Sequence, residues 1–593
     1  MVCAALSALA PAAANAAIVP GATVDGPSAD ITANSVVQAD VAPDGTAAIA
    51  YLKGATPKVW VSRLVAGAWG APEQVESLPG ASSNPRIAVA DGGKVVVTFA
   101  NGGNVQAVIK PSAAAPFGTP TNIGTGGSYG EIDLAPNGNG YVAIKGTLLL
   151  NASRLEGTTF TPITGALNND PTKEAGGSDR EAKVATRSDG TDAVIAWGEN
   201  PGGPGSVYVR RVTGTTLGAT EDVRVPSLDG APAQAGTDVF MPDVGIGGLG
   251  TAWVVFRQAF TYGAQNFSRA VARALPPGGS LGTAEVVDSL GTAPTENVEY
   301  PRIDVNGAGV GLAANALGTT FGIQAALHVI SWALLPAPVN PVANTGASFA
   351  SPAIALTGTE MVAWVHDPDG AGTEVDRILA RTRVEAFGPV LTLSDPSLGD
   401  LQQFQIVSAA GGAFAVVGYV QGGAGAADPR RIGAAVVDLP GAGPENPPVD
   451  VTKPKLSKLR LSAKRFRIGT KLPSLAAVGT GVRIRYTLSE ASTVALSFER
   501  VTRGRKVGRR CVKAKRSNRR RKACKRYAAV KPALSFANQA AGQRSIRFEG
   551  RLNRRKTLKP GVYRLTLRAR DLAGNRSAPL RARITVLPRK RKR

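Results

Sequence analysis

The sequence predicts an all-β protein, a seven- or eight-bladed β-propeller followed by a smaller β-sandwich. Three observations support this prediction. One β-hairpin pattern recurs eight times in the first 440 residues, and helical periodicity beyond a turn or two is scarce, which together indicate the all-β class. The net charge changes sign near residue 450, which indicates a second domain. With 593 residues, 43% of them hydrophobic, the chain can build more than one buried core, and a disordered chain is excluded.

The repeated unit is a strand, a tight Gly-containing turn and a second, apolar strand. In the first copy Gln38–Gly45 is followed by Ala47–Tyr51, and later copies begin near residues 85, 132, 183, 242, 301, 352 and 404. The Asp-Gly, Asn-Gly and Gly-Gly turns supply the positive φ angles that tight hairpins need. A period of roughly 45–60 residues suits a four-stranded blade and is too long for a leucine-rich or hexapeptide solenoid.

Such sheets cannot bury both faces alone, whereas stacking in a closed ring covers both. We therefore expect a propeller over residues 30–440, with two stacked sandwiches or a β-solenoid as alternatives. The terminal copies can combine into one closing blade, so seven and eight blades both remain open.

Residues 1–16 resemble an export signal in composition. A run of small apolar residues, Ala4–Ala14, leads to the A-x-A site Ala14-Asn15-Ala16, which is typical of signal cleavage. The basic segment that normally precedes such a run is missing, so we expect a truncated signal; an Ala-rich tail is the alternative. No other stretch reaches the ~18 apolar residues of a membrane span. The predicted location is secreted, extracellular or in the cell envelope.

A Pro/Gly-rich linker is predicted over residues 441–452, a basic β-sandwich over 453–588 and a basic tail over 589–593. Short alternating strands separated by turns indicate the sandwich. The predicted strands are Leu456–Leu461, Val482–Leu488, Thr493–Arg500, Ser545–Phe548, Tyr563–Ala569 and Leu580–Val586.

The segment Leu558–Ser577 carries the patterns G-x-Y-x-L and A-x-D-x-A-G-N-x-S. It resembles the closing hairpin of bacterial Ig-like domains, which are related in shape to fibronectin type III domains. This resemblance implies an Ig-like sandwich that serves as a spacer, stalk or adhesion unit of an exported protein. The first domain resembles exported bacterial propellers in its repeat architecture alone.

Charge separates the two predicted domains. Residues 451–593 contain 44 Lys and Arg against 4 Asp and Glu, a net charge of +40, whereas residues 1–450 contain 24 against 39, a net charge of −15. Such a division indicates different electrostatic partners for the two parts. Cys3 would leave with the signal, and the remaining pair, Cys511 and Cys524, predicts one disulfide in an exported protein.

The most basic stretch is Arg503–Arg526, from which we select a candidate polyanion-binding set. Its members are Arg519, Arg520, Arg521, Lys522, Lys525 and Arg526. The expected partners are teichoic-type cell-wall polymers, acidic polysaccharides, lipid head groups or extracellular DNA. No aromatic residue interrupts the stretch, which disfavours base stacking. A solvated hairpin stapled by the disulfide, without a specific partner, is the alternative.

Few residues suggest chemistry in the first domain. The sialidase-type Asp-box is absent, but Arg86 and Arg302 share a Pro-Arg-Ile triplet, and Glu296, Glu299 and Tyr300 precede the second. An arginine beside a tyrosine and a glutamate suits anion binding and nucleophilic chemistry. Arginine is also common at strand ends, so no catalytic residue is predicted.

Metal chemistry has little support, because the chain has only two histidines, His328 and His366. Asp367, Asp369, Glu374 and Asp376 form an acidic loop with the oxygen ligands that Ca²⁺ prefers. Pro368 and the spacing depart from an EF-hand loop, so a solvated hairpin tip is the simpler interpretation, and neither metal nor cofactor is predicted.

These features together predict an exported, cell-envelope-associated binding or structural protein. The propeller would recognise a carbohydrate or protein ligand, and the basic domain would attach to anionic surface polymers. The alternative is a carbohydrate-active propeller enzyme of sialidase-like or lyase-like type. An exported nucleic-acid binder is a third hypothesis, for which we expect binding without sequence preference and with a steep salt dependence.

Overall fold

The computed structural model divides the chain into two compact units, Met1–Gly443 and Pro444–Arg593. It describes residues 18–588 except 33–34, 36, 66, 201–203, 227–235, 263–264, 291–295, 337–338, 341–348, 370–373, 403–406, 424, 426–427, 440–453, 469–480, 490–491, 509, 540–541, 554 and 571–575. The predicted export signal, linker and basic tail lie outside the described residues, and so does part of the Ig-like motif, 571–575.

The first unit is built from antiparallel strands. In chain order they are β1 (Ile18–Ser28), β2 (Gln38–Val41), β3 (Ala47–Lys53), β4 (Lys58–Val65), β5 (Ala68–Trp69), β6 (Glu73–Gln74), β7 (Ser82–Ala90), β8 (Lys94–Asn101), β9 (Asn104–Lys110), β10 (Thr121–Thr125), β11 (Tyr129–Leu134), β12 (Gly140–Lys145), β13 (Leu150–Glu156), β14 (Thr159–Pro162), β15 (Glu174–Ala175), β16 (Lys183–Thr186), β17 (Asp192–Asn200), β18 (Ser206–Thr213), β19 (Thr216–Leu217), β20 (Glu221–Asp222), β21 (Gly236–Ile246), β22 (Ala252–Tyr262), β23 (Gln265–Leu275), β24 (Ala284–Val286), β25 (Val298–Val305), β26 (Gly311–Leu317), β27 (Ile323–His328), β28 (Trp332–Leu334), β29 (Ala350–Ile354), β30 (Glu360–His366), β31 (Arg377–Arg383), β32 (Leu391–Thr392), β33 (Asp400–Leu401), β34 (Val407–Gly411), β35 (Phe414–Gly422) and β36 (Arg430–Asp438).

These strands form sheets that follow one another around a ring. In the part of the first unit that the structure describes, seven sheets are continuous in sequence, namely β2–β6, β7–β10, β11–β14, β15–β20, β21–β24, β25–β28 and β29–β32, and an eighth combines β33–β36 with β1. The innermost strands are β2, β7, β11, β16, β21, β25, β29 and β34; each contacts the next, and β34 contacts β2. The eight repeated hairpins supply the two innermost strands of the eight sheets.

The ring closes through a strand that the repeat pattern does not identify. β1 pairs antiparallel with β36, from Ile18 opposite Val437 to Ser28 opposite Arg430, and it lies before residue 30. Three register shifts interrupt this pairing. As a result β1 lacks the regular alternation of apolar and polar residues by which a strand is recognised in a sequence. The two ends of the ring are thereby joined by backbone hydrogen bonds.

The second strand of each repeat is apolar because neighbouring sheets cover both its faces. All eight residues of β8 are buried, and β30 is buried throughout. Trp197 and Trp364 are among the largest fully buried side chains. The short outer strand β6, by contrast, is exposed. The core of the first unit therefore lies between neighbouring sheets, around their inner strands.

The described residues of the second unit form two sheets. Its strands are β37 (Leu456–Leu461), β38 (Arg465–Arg467), β39 (Val482–Leu488), β40 (Ser492–Val507), β41 (Arg510–Lys513), β42 (Ala523–Gln539), β43 (Gly542–Phe548), β44 (Gly561–Arg570) and β45 (Leu580–Leu587). One sheet has the order β37-β39-β43, and the other has β38-β45-β44-β40-β41, with β42 also pairing with β40. Every predicted strand lies within an observed one, and the two sheets share one core in which Phe498 stacks on Phe548 at 4.7 Å.

Among the described residues, helical structure is confined to short 3₁₀ turns at Asp91–Gly93, Pro396–Leu398 and Arg516–Asn518. Within the part of the chain that the structure describes, no helix is long and apolar enough to cross a membrane.

Candidate functional site

The innermost strands of the ring line a central cavity of about 640 Å³. Carboxylates outnumber cations in its lining. The acidic residues are Asp40, Glu131, Asp133, Asp179, Glu181, Asp243 and Asp304, and the basic residues are Arg86, Lys183 and Arg302. Such a polar, concave site suits a hydrogen-bonding ligand more than an apolar one.

Three innermost strands bend at the same repeat position. Asn84, Met241 and Tyr300 each precede a proline and have positive φ angles of 49°, 53° and 47°. The pairing of each strand with its neighbour is shifted at this point, as in a β-bulge, which redirects the following side chain. Bulky residues at positive φ are strained, and strain of this kind concentrates at functional sites.

Arg86 follows the first of these bulges and is fully paired. Its guanidinium contacts Glu131 at 2.8 Å and Glu181 at 2.9 Å, and Lys183 contacts Glu131 at 3.4 Å. Burial alone would raise the pKa of Glu131, but Lys183 and Arg86 lower it below its usual value. Arg86 therefore joins three successive sheets and has little capacity left for an anionic ligand.

Arg302 occupies the same repeat position but has a different environment. Within the described residues its side chain forms neither an ion pair nor a hydrogen bond. Asp243 is near enough for Arg302 to oppose the burial that raises the pKa of this aspartate. Arg302 is consequently the cation of the cavity that is best placed to meet a ligand.

The glutamates that the sequence groups with Arg302 are directed elsewhere. Glu299 pairs with Arg257, and Glu296 accepts a hydrogen bond from the Thr320 hydroxyl at 3.1 Å. Neither lines the cavity, whereas Tyr300 does, with its ring 4.3 Å from that of Phe349. The structure thus brings Tyr300 and Arg302 together but separates them from both glutamates.

Four aspartates in the cavity connect neighbouring sheets, a role that the sequence analysis did not identify. Each accepts a hydrogen bond from a backbone N–H of the next innermost strand. The pairs are Asp40 with Val89 at 2.8 Å, Asp133 with Thr186 at 2.5 Å, Asp243 with Ile303 at 3.0 Å and Asp304 with Ile354 at 2.8 Å. The recurrence of aspartate two residues before the hairpin turn, as in Asp40 and Asp133, is the signal that could have revealed them.

Loss of water around these carboxylates makes them less acidic. Burial raises the pKa of Asp40 to about 6, and it raises the pKa of Asp133 and of Asp304 to about 7. Hydrogen bonds from backbone N–H groups oppose this effect, while neighbouring carboxylates add to it. The cavity therefore contains carboxyl groups that change charge near neutral pH.

Neither histidine is exposed. The ring of His328 lies 4.3 Å from that of Trp253 and 5.3 Å from that of Trp332, and burial lowers its pKa. His366 is buried at the end of β30, and burial, with Arg377, lowers its pKa as well.

The acidic loop considered for Ca²⁺ is described only in part, since residues 370–373 lie outside the described residues. Burial, with Asp400 and two loop aspartates, raises the pKa of Asp376 to about 7. Among the residues that the structure describes, no group of three or more His, Cys, Asp or Glu side chains could hold a metal ion.

The basic stretch of the second unit forms the tip of a long hairpin. β40 continues to Val507, β41 and β42 flank it on either side, and residues 519–522 form the turn before β42. Arg519, Arg520, Arg521, Lys522 and Lys525 are exposed, and Arg526 is half-buried. The six candidate residues therefore share one protrusion, and five of them face solvent.

A disulfide joins Cys511 to Cys524, as the sequence predicts. It passes beside Gly504 of β40, whose backbone pairs with Cys524. A Cβ atom at Gly504 would lie 2.7 Å from the Cys511 sulfur, so only glycine leaves room for this crossing. The bond holds the flanks of the tip together against the repulsion between their cations.

Comparisons with known proteins give no family assignment. No protein-family model matches the chain, and no curated protein matches it. Three solved structures to which it is similar are the Dos1 propeller (10% identity, 72% of this chain and 96% of that chain, TM-score 0.39), the β-propeller domain of the Trilobed protease from Pyrococcus furiosus (10%, 61% and 98%, 0.35) and Trypanosoma rangeli sialidase (8%, 85% and 84%, 0.30).

At these TM-scores the similarities carry no argument about activity. The fold follows from the chain itself, since antiparallel sheets arranged around a central cavity and closed into a ring define a β-propeller.

Proposed function

We propose that this chain is an exported binding protein of the cell envelope. Its first unit, with eight blades, recognises a polar ligand at the central cavity. Its second unit, an Ig-like sandwich, attaches to an anionic surface polymer through the tip of the β40–β42 hairpin. The division of charge, +40 in residues 451–593 against −15 in residues 1–450, supports attachment through the second unit because a polyanion is attracted there and repelled by the first.

The exposed hairpin tip is the observation that carries this proposal. Residues 500–531 contain sixteen Lys and Arg and no Asp or Glu. The backbone fixes the tip, since the Arg505 guanidinium donates to the Arg521 carbonyl at 2.9 Å and the Lys506 N–H donates to the Lys522 carbonyl at 2.9 Å. A rigid array of like charges favours a polymer that neutralises several of them at once and releases its counterions.

The cavity of the first unit supports recognition of a polar ligand such as a carbohydrate. Arg302 and Tyr300 can contact such a ligand, because both line the cavity at the β-bulge of β25. A carbohydrate-active enzyme is the second candidate, because the raised pKa of Asp133 and of Asp304 is a property of a general acid. Both aspartates are engaged with backbone N–H groups, which favours a structural role.

Retention of the full chain on immobilised heparin at increasing salt tests the attachment. A variant with Arg519, Arg520, Arg521 and Lys522 changed to Gln should elute earlier, and its salt slope should fall by about 3 for four lost contacts. The charge-matched control changes Arg555, Lys556, Lys559 and Arg576 to Gln, all of them exposed.

Equal slopes for the two variants would overturn attachment through the tip. Hydrolysis of a glycoside by the full chain, lost in an Asp133→Asn variant that still folds, would favour the enzyme instead.

A further inference from the structure

The three-stranded sheet of the second unit carries a second basic surface, on the sheet opposite the hairpin. Arg483 and Arg485 alternate with the buried residues Val482, Ile484 and Tyr486 along β39, so they share its outer face. Arg460 of β37 is directly opposite Arg485. A register shift before Arg460 and a positive φ of 50° at Lys458 bring a fourth cation to this edge.

These four cations border a groove of about 980 Å³. Its other lining residues are Tyr486, Thr487, Gln539, Gln543, Arg544 and Ser545, so the lining contains no carboxylate. Within the described residues, the side chains of Lys458, Arg460, Arg483 and Arg485 form no ion pair or hydrogen bond. Like charges directly opposite each other on neighbouring strands destabilise a sheet, so the fold alone gives no reason for this arrangement.

An unpartnered hydroxyl on the same face of β39 gives independent support. Thr487 follows the buried Tyr486, so it shares the outer face of Arg483 and Arg485, and its hydroxyl is buried without a hydrogen-bond partner. A buried polar group without a partner is costly, and nearly all such groups in proteins are paired. A bound oxyanion would supply the missing partner, because a threonine hydroxyl can donate to its oxygens.

We infer that this groove binds a tetrahedral oxyanion, a phosphate or sulfate ester, carried on a hydroxylated chain. The guanidinium groups of Arg460, Arg483 and Arg485 contact the ester oxygens, for which their planar forks are well suited. Thr487 donates a hydroxyl hydrogen bond to the same oxygens, and the amide of Gln543, which is directly opposite Thr487 on β43, contacts hydroxyl groups along the chain. This inference rests on the attachment role proposed above and specifies which chemical group of the polymer is bound.

Titration calorimetry on the full chain tests the groove. The probes are a glycerol-phosphate hexamer and a heparin hexasaccharide, which separate a phosphate ester from a sulfate ester, with dextran as the uncharged control. Changing both Arg483 and Arg485 to Gln should weaken binding of the preferred probe at least about tenfold, since hydrogen bonds between charged groups are strong. The matched control changes Arg568 and Arg581, exposed on the other sheet, to Gln and should change affinity less than about twofold, as for surface charges without contact.

Thr487→Val gives the sharper readout. Because it removes a hydroxyl that has no partner in the free protein, thermal stability should stay equal or rise, while affinity should fall about fivefold, the effect of one hydrogen bond. A merely structural threonine would leave affinity unchanged, and that result would overturn the inference. Equal losses in the Arg483/Arg485 and Arg568/Arg581 variants, or equal binding of dextran, would overturn it too.

The hairpin variant separates this inference from the proposed function. If changing residues 519–522 lowers heparin retention while the groove variants bind normally, the attachment role stands and the groove site fails. If the groove variants lose binding while the hairpin variant does not, attachment through the tip fails and the groove is the binding site.

Discussion

The aspartates of the central cavity make the stability of the ring depend on pH near neutrality. Asp133 accepts N–H hydrogen bonds from Leu134 at 2.9 Å and from Thr186 of the next sheet at 2.5 Å. Burial raises its pKa from 3.8 to about 7. Between these values the folded state keeps a proton that the unfolded chain has released. Its contribution to stability is therefore complete below about pH 4 and is lost as the pH rises through 7.

The magnitude follows from the shift of the pKa. Three pKa units correspond to about 4 kcal/mol of unfolding free energy, of which about 3 kcal/mol falls between pH 4.5 and 8. Asp133→Asn removes the titration and leaves an amide nitrogen opposite one of the two N–H donors, which costs about 1–3 kcal/mol. The variant should therefore be less stable than the wild type at pH 4.5 and should equal or exceed it at pH 8.

Urea unfolding followed by tryptophan fluorescence measures this effect in the ring alone, because all six tryptophans lie in the first unit. The control is Asp44→Asn. Asp44 also accepts an N–H hydrogen bond from the next sheet, at Gly92. Hydrogen bonds from Gly92 and Thr46 overcome burial and lower its pKa, so the effect of its replacement should not change between pH 5 and 8. A wild-type-to-variant difference that is constant from pH 4.5 to 8 for Asp133→Asn would refute the reasoning.

Two further predictions concern bonds within each unit. Replacing both Cys511 and Cys524 by Ser should destabilise the second unit by up to about 3 kcal/mol, as expected for a short closed loop; an unchanged melting temperature by far-ultraviolet circular dichroism would contradict this. In the ring, Arg269 and Asp288 form a buried ion pair at 2.8 Å. Arg269→Met should cost about 3–5 kcal/mol because it leaves an unpaired buried charge, and adding Asp288→Leu should recover most of the loss in urea unfolding. A double variant no more stable than the single one would show that lost packing, and not the lone charge, causes the effect.

The sequence by itself determined the local architecture. Alternating residues and Gly-containing turns such as Asp44-Gly45 predicted the repeated hairpins, because strand periodicity and turn geometry depend on adjacent residues. The second-unit strands were predictable for the same reason. The pairing of Cys511 with Cys524 and the exposure of the basic tip followed from composition, since few alternatives existed for two cysteines or for so many cations.

Only the tertiary structure decided which distant residues meet. Arg86 is neutralised by Glu131 and Glu181, whereas Arg302 at the equivalent repeat position is not, and identical Pro-Arg-Ile triplets cannot distinguish these outcomes. β1 closes the ring from outside the repeats, and the unpartnered hydroxyl of Thr487 is visible only once its surroundings are packed. The physical reason is range: hydrophobic pattern and turn chemistry act over a few residues, but ion pairing and burial across sheets depend on positions fixed when the sheets assemble.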